Sequence, residues 1–94
     1  MKLPTIHLNG TSANALEQQV DAAIDALCLA RAALIETAPN ARDYYPQGQG
    51  AISQAGVEFR NRLLKLDDVA KELNELQEHI ETCVRERNRE RQRA

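Results

Sequence analysis

Apolar residues recur at intervals of three and four in the first half of the chain, the spacing of one buried face of an α-helix. This stripe comprises Leu16, Val20, Ala23, Ile24, Leu27 and Leu34. A second stripe of mostly small residues follows the same helix at Ala22, Ala26, Leu29 and Ala33. Because a helix with two apolar faces needs two neighbours, we expect a helix over 12–38 with more than one packing partner. Thr11 or Ser12 would cap its start, and Pro39 would end it.

The second half of the chain carries a seven-residue apolar repeat. Its members are Ile52, Phe59, Leu66, Leu73 and Ile80, with partners at Ala55, Val69, Leu76 and Cys83. The repeat predicts a coiled-coil-like helix over 51–88. We therefore predict one all-α domain, a long antiparallel helical hairpin with an N-terminal segment over 1–11, a loop over 39–50 and a frayed basic tail over 89–94.

The composition limits the core that this hairpin can build. The 94 residues include one Phe and no Trp, so Leu, Ile, Val and Ala must supply the packing. Small domains with little apolar area commonly gain stability by self-association. We expect the hairpin to assemble into a homo-oligomeric helical bundle. Cys28 and Cys83 fall in different helices, far apart along the hairpin, so no intrachain disulfide is expected, as in a reducing cytoplasm.

The two helices are predicted to differ in length. If the hairpin is centred near Tyr44, Ser12 lies beside about residue 76, and the second helix extends beyond it. The leading segment could fold back there and place Leu3, Ile6 or Leu8 against the helix, where His7 could meet His79. The histidines lack the H-x3-H or C-x2-C spacing of metal ligands, so no metal site and no cofactor are expected.

The charged residues are unevenly distributed along the chain. The formal net charge is −2, yet the last ten residues hold five Arg and two Glu. Glu86 and Glu90 interleave with the arginines at i, i+4 spacing, which is typical of a solvated helix end. Nucleic-acid binding by this tail is the alternative interpretation, and not the one we expect. No apolar run is long enough to span a membrane, and Pro4, His7 and Asn9 interrupt any signal-peptide pattern.

The stretch 38–50, APNARDYYPQGQG, is unusual for a helix-to-helix connection. It holds Tyr44 and Tyr45 beside Arg42 and Asn40. Tyr and Arg are suited to stacking on a planar ligand and holding an anionic one. The structural alternative is that the tyrosines close the end of the helix pair while Arg42 pairs with Asp43.

The stretch 7–12, HLNGTS, is the second candidate segment. Its residues His7, Asn9, Gly10, Thr11 and Ser12 precede the first helix, where free backbone N–H groups and the helix dipole favour an anion. An ordinary N-cap is the simpler interpretation. The two segments lie at opposite ends of a helix roughly 35–40 Å long, so they can form one site only between antiparallel protomers.

These two segments also carry a resemblance. LPTIHLNGTSA, an Ala-rich helix and APNARDYYPQG, over about Leu3 to Ile80, resemble a family of small, largely uncharacterised proteins of tailed phages and prophages. The resemblance implies a phage accessory protein in the host cytoplasm and carries no settled activity. By looser analogy, several small oligomeric phage proteins act as sponges, sequestering nucleotide second messengers of antiphage defence systems such as CBASS or Thoeris.

No nucleophile–base pair, paired acid or metal signature appears in the sequence, so we do not expect an enzyme. The predicted function is sequestration of a cyclic nucleotide or ADP-ribose-type signal at sites between protomers. The alternative is a helical protein–protein interaction module with no small ligand, acting as an inhibitor of a host defence protein, a phage regulator or an assembly component.

Overall fold

The computed structural model describes residues 1–93, and every regular element in that part of the chain is helical. Helix α1 spans Ala13–Ile35, α2 spans Ala41–Tyr44, a 3-10 turn spans Tyr45–Gln47, and α3 spans Ala51–Arg93. Helices α1 and α3 pack side by side, and the molecule measures 72 × 21 × 20 Å. The predicted all-α class is confirmed.

Capping side chains define both ends of α1. The Ser12 hydroxyl accepts a hydrogen bond from the Ala15 N–H at 3.1 Å, as expected of an N-cap. The helix ends at Ile35, earlier than the predicted residue 38. There the Thr37 N–H and hydroxyl both donate to the Leu34 carbonyl, at 2.9 and 2.7 Å. These bonds tighten the chain into a turn before Pro39 is reached.

The connection that we expected to be a loop over 39–50 contains local structure. Asn40 caps α2, because its side-chain oxygen accepts a hydrogen bond from the Arg42 N–H at 3.0 Å. Pro46 lies in the first turn of the 3-10 segment, where its missing N–H costs nothing. Gly48 then adopts φ 106°, a left-handed conformation that favours glycine.

Two hydrogen bonds set the register between α1 and α3. Arg31 Nε donates to Asp67 Oδ1 at 2.9 Å, and Gln77 Nε2 donates to Asp21 Oδ1 at 2.6 Å. They put Ser12 level with about residue 87, so the expectation of residue 76 is wrong. The reason is that the connection folds back along the first turns of α3, and α3 extends past α1 at the closed end.

Helix α3 continues without interruption to Arg93, whereas we expected it to end at residue 88. Arg91 and Arg93 occupy its last turn, where cations interact favourably with the helix dipole. Residues 89–93 are therefore helical, and Ala94 of the predicted frayed tail lies outside the described residues. No helix within residues 1–93 has both the length and the apolar character needed to cross a membrane.

The core of the hairpin is thin. Ile80 is fully buried, and Val20 and Ala55 are 6% and 8% exposed. Most other residues of the first stripe of α1 and of the seven-residue repeat of α3, including Phe59 and Leu66, are only half-buried. The chain exposes 7441 Å², against about 5400 Å² for a typical folded monomer of this mass. The elongated hairpin thus leaves about 2000 Å² more surface in solvent than a compact domain of the same mass would.

We expect Ile80→Ala to reduce the free energy of unfolding by about 2–5 kcal/mol, because it removes the most buried aliphatic side chain and leaves a cavity. Val57→Ala is the control, since Val57 on the same helix is 56% exposed and should change stability by less than about 1 kcal/mol. Urea unfolding at fixed protein concentration measures both. Equal losses for the two variants would contradict this description of the core.

Candidate functional site

The two tyrosines of the connection have different environments. Tyr44 is half-buried and lies beside Ala51 and Ala55 at the start of α3. Tyr45 is 76% exposed. Both line an open hollow of about 250 Å³ with Ala41, Gly48, Gln49 and Ile52. Tyr44 therefore closes the helix end, as the structural alternative proposed, while Tyr45 has no comparable packing role.

Arg42 interacts with Asn40. Its Nε donates to Asn40 Oδ1 at 3.4 Å, and that oxygen also accepts the Arg42 backbone N–H. The expected alternative, an ion pair with Asp43, does not form, since adjacent residues of the helical turn point in different directions. In residues 1–93 the terminal amino groups of Arg42 have no hydrogen-bond partner, and neither has the Asn40 amide nitrogen. Both side chains keep donors that an anionic or polar ligand could accept.

The HLNGTS segment forms a tight turn before α1. The Gly10 N–H donates to the His7 carbonyl at 3.1 Å, and the His7 ring folds over Gly10. A Cβ at position 10 would lie 2.8 Å from His7 Nε2, so a larger residue there would displace the His7 ring from its present position. Ser12 uses its hydroxyl as the N-cap. Asn9 and Thr11 are exposed, and the N–H groups of Thr11 and Ser12 have no hydrogen-bond partner within residues 1–93.

Two arginines lie beside this helix start: one that we had assigned to the end of the second helix and one that we had assigned to the frayed tail. Arg87 and Arg91 line a hollow of about 250 Å³ with Ala13, Asn14, Glu17, Val84 and Asn88. The Glu17 carboxylate partly offsets their charge. Sequence reasoning missed them because the assumed register ended the pairing near residue 76. The opposite charges of Arg31 and Asp67 are the feature of the sequence that could have predicted the correct register.

The structure does not bring the two candidate segments together within one protomer. Helix α1 has 23 residues, a length of about 35 Å. Asn40, Arg42, Tyr44 and Tyr45 follow its C-terminal end, and residues 7–12 precede its N-terminal end. His7 also lies away from His79, whose ring is hydrogen-bonded to the Pro4 carbonyl instead. A single site built from both segments requires a second chain.

Titratable groups form no reactive cluster in the described part of the chain. Residues 1–93 contain no group of three His, Cys, Asp or Glu side chains that could hold a metal ion. The hydrogen bond from Arg31 to Asp67, together with the charge of Asp67, raises the pKa of the Arg31 guanidinium. Since arginine is already cationic, this change leaves its charge unaltered. The pair links the helices and supplies no acid or base.

One side of the hairpin is apolar and uncovered. The second stripe of α1, which includes Ala22, Ala26, Leu29 and Ala33, is exposed, and Leu29 is 74% exposed. At 100° per residue, this stripe faces away from the Arg31–Asp67 and Asp21–Gln77 bonds. Val69 of α3 lies level with Leu29 in the register that the Arg31–Asp67 and Asp21–Gln77 bonds set, and it is 45% exposed. We call these five residues, Ala22, Ala26, Leu29, Ala33 and Val69, the apolar face.

Comparison of the chain with protein-family models finds no match, and comparisons with curated proteins and with solved structures find none either. The site must therefore be interpreted from its own chemistry.

Proposed function

We propose that this protein is a phage accessory anti-defence protein that sequesters a nucleotide second messenger in the host cytoplasm without breaking it. The ligand is a cyclic nucleotide or an ADP-ribose-type signal, bound at junctions between protomers of a homo-oligomer. The observation that carries the proposal is Tyr45, an aromatic side chain that is 76% exposed, lines an open hollow and follows Arg42 by three residues in the chain.

Tyr45 contributes little to folding at that exposure, because the hydrophobic gain scales with the area removed from water. An exposed tyrosine ring is instead well suited to stack on a base, an interaction of roughly 1–3 kcal/mol per base. Arg42 lies two residues before Tyr44, and its free amino groups can hold a phosphate by charge-assisted hydrogen bonds. The connection thus offers stacking and charge in one place.

The other half of the proposed site comes from a neighbouring protomer. The backbone N–H groups of Thr11 and Ser12 are donors at the start of a 23-residue helix, whose dipole favours an anion. The Gly10 N–H is held by the His7 carbonyl, so Gly10 contributes the turn that presents them. His7 and Asn9 add polar contacts there, and Asn40 adds one at the connection. In an antiparallel arrangement, the open end of one hairpin lies beside the closed end of the next, which brings both sets of donors to one ligand.

The apolar face supports the self-association that this site requires. Its alanines allow helices to approach closely, and Leu29 and Val69 provide the larger contact at its centre. The extra exposed surface of about 2000 Å² per chain exceeds the roughly 800 Å² per partner of a standard interface. A second copy of the hairpin, with the same apolar face, is the occupant that we propose.

The first prediction of this proposal concerns assembly. We expect Val69→Glu to convert the oligomer to smaller species at micromolar concentration, because an unpaired charge in an apolar contact is costly. Val57→Glu is the matched control, since Val57 is exposed on the same helix about 120° around its axis from Val69. Light scattering coupled to size exclusion measures both. Dissociation by Val57→Glu alone would place the interface on the other side of α3, and a monomeric wild type would overturn the oligomer.

The second prediction concerns the ligand. Tyr45→Ala and Arg42→Ala should each weaken binding about tenfold or more, because each removes an interaction of about 1.4 kcal/mol or greater. The test is calorimetry with cyclic dinucleotides, cyclic trinucleotides and ADP-ribose derivatives, and the ligand should be recovered intact after denaturation. Arg60→Ala, a change of the same kind at an exposed position of α3, should leave the affinity unchanged. Failure of every compound to bind the wild type would refute the proposal.

The third prediction tests which arginines in the last turns of α3 contribute to ligand binding. If the start of α1 holds phosphate, the double change Arg87→Ala, Arg91→Ala should weaken nucleotide binding about tenfold, because both side chains line the hollow beside Ala13 and Asn14. The change Arg89→Ala, Arg93→Ala removes the same charge from a part of α3 that lies outside this hollow. Equal losses would indicate a general effect of net charge, and no loss in either would exclude Arg87 and Arg91 from the site.

A helical interaction module is the second candidate function, and the apolar face is the observation that favours it. Exposed apolar patches on helical proteins commonly dock a partner helix. In that case the face would contact a host defence protein or another phage protein, and no small ligand would bind. A stable partner complex that Val69→Glu abolishes, together with negative calorimetry, would favour this function over sequestration.

A further inference from the structure

The N-terminal segment, residues 1–12, has no helix or strand of its own. Within residues 1–93, one hydrogen bond joins it to α3: His79 Nε2 lies 2.6 Å from the Pro4 carbonyl oxygen. This bond links residues 75 apart in the chain. The segment is therefore docked at a single polar point, near the fully buried Ile80.

The chemistry of this bond fixes the state of the imidazole. A carbonyl oxygen can only accept, so Nε2 must carry the proton and donate it. Cys83 Sγ lies 3.6 Å from the same nitrogen. Because the proton already resides on Nε2, the sulfur can act here only as a weak second acceptor. His79 thus functions as a donor aimed at the segment, with Cys83 beside it on the next helical turn.

The docking point has both apolar and charged neighbours. Pro4, Ile6 and His79 are half-buried. Pro4, Thr5 and Ile6 line a hollow whose other walls are His79, Cys83, Glu86, Arg87 and Glu90. Leu8, in contrast, is 96% exposed, so it is not the one of the three predicted residues, Leu3, Ile6 or Leu8, that packs on α3. The segment makes its contact with α3 through Pro4 and Ile6 and then turns away into the His7–Gly10 turn.

Docking at Pro4 restricts the residues that follow it. An extended chain spans at most about 3.5 Å per residue, so His7 lies within roughly 10 Å of the anchored Pro4 and Gly10 within roughly 20 Å. The start of α1 restrains the same stretch from its other end, at Ser12. Between these two anchors, the segment has far fewer conformations than a free terminus would have.

We infer that His79 is a positioning residue: by docking Pro4 on α3, it fixes the turn that carries His7, Asn9 and Gly10 for ligand contact. This inference rests on the proposed function, because it gives these residues their role in binding. Pre-organised segments bind more tightly because the cost of ordering them has been met before the ligand arrives. His79 itself need not touch the ligand.

The test compares His79→Ala with His79→Gln, whose side-chain amide can donate to the same carbonyl. Hydrogen exchange measures the docking without any ligand. In His79→Ala the Gly10 amide should exchange about threefold to tenfold faster, the effect of losing one hydrogen bond. Amides in the middle of α1 and α3 should be unchanged. His79→Gln should restore slow exchange, and Glu75→Ala, at an exposed position of the same helix, should behave as wild type.

Calorimetry with the cyclic nucleotides then tests the positioning role. We expect His79→Ala to weaken binding threefold to tenfold and His79→Gln to recover most of the affinity. Unchanged exchange at Gly10 in His79→Ala would overturn the docking. Faster exchange with unchanged affinity would overturn the positioning role and leave the proposed function standing. If the wild type binds none of the compounds, the proposed function fails, while the exchange data still decide whether His79 docks the segment.

Discussion

The geometry of two packed helices governs the rest of this structure. Each helix of a hairpin can bury only the stripe that faces its partner, and here both helices carry apolar residues beyond that stripe. Ile80 and Val20 lie in the shared seam and are buried, whereas Leu29 lies on the far side of α1 from this seam and is 74% exposed. The thin core, the large exposed surface and the uncovered apolar face all follow from this one limit.

The same limit connects the fold to the proposed binding site. Residues able to contact a nucleotide are placed at the two ends of an elongated body, and a hairpin cannot fold its own ends together. Self-association through the apolar face would cover the surface that the hairpin leaves in solvent and bring the opposite ends of two chains to one place. Stability and ligand binding would then depend on the same contact between protomers.

Sequence periodicity predicted the helices well because it reports local geometry. The seven-residue repeat through Leu66 and Ile80 marked the buried side of α3, and Ser12 marked the start of α1. The register was not predicted, since it depends on how residues 36–50 fold back along α3. Arg87 and Arg91 were missed for the same reason. The docking of Pro4 on His79 joins residues that are distant in the chain, and periodicity in the sequence does not predict such a contact.

The Arg31–Asp67 pair contributes little to stability as an exposed ion pair, with side chains 44% and 45% exposed. Its main consequence is that it favours one register of α3 against α1. A seven-residue repeat allows α3 to slide by one heptad against α1 while keeping its apolar residues in the seam. Sliding one way would set Arg31 against Arg60, and sliding the other way would set it against Asn74 and Asp21 against Val84. Like charges or an unpaired carboxylate penalise each slipped hairpin, so two modest surface bonds select one alignment among several of similar hydrophobic energy.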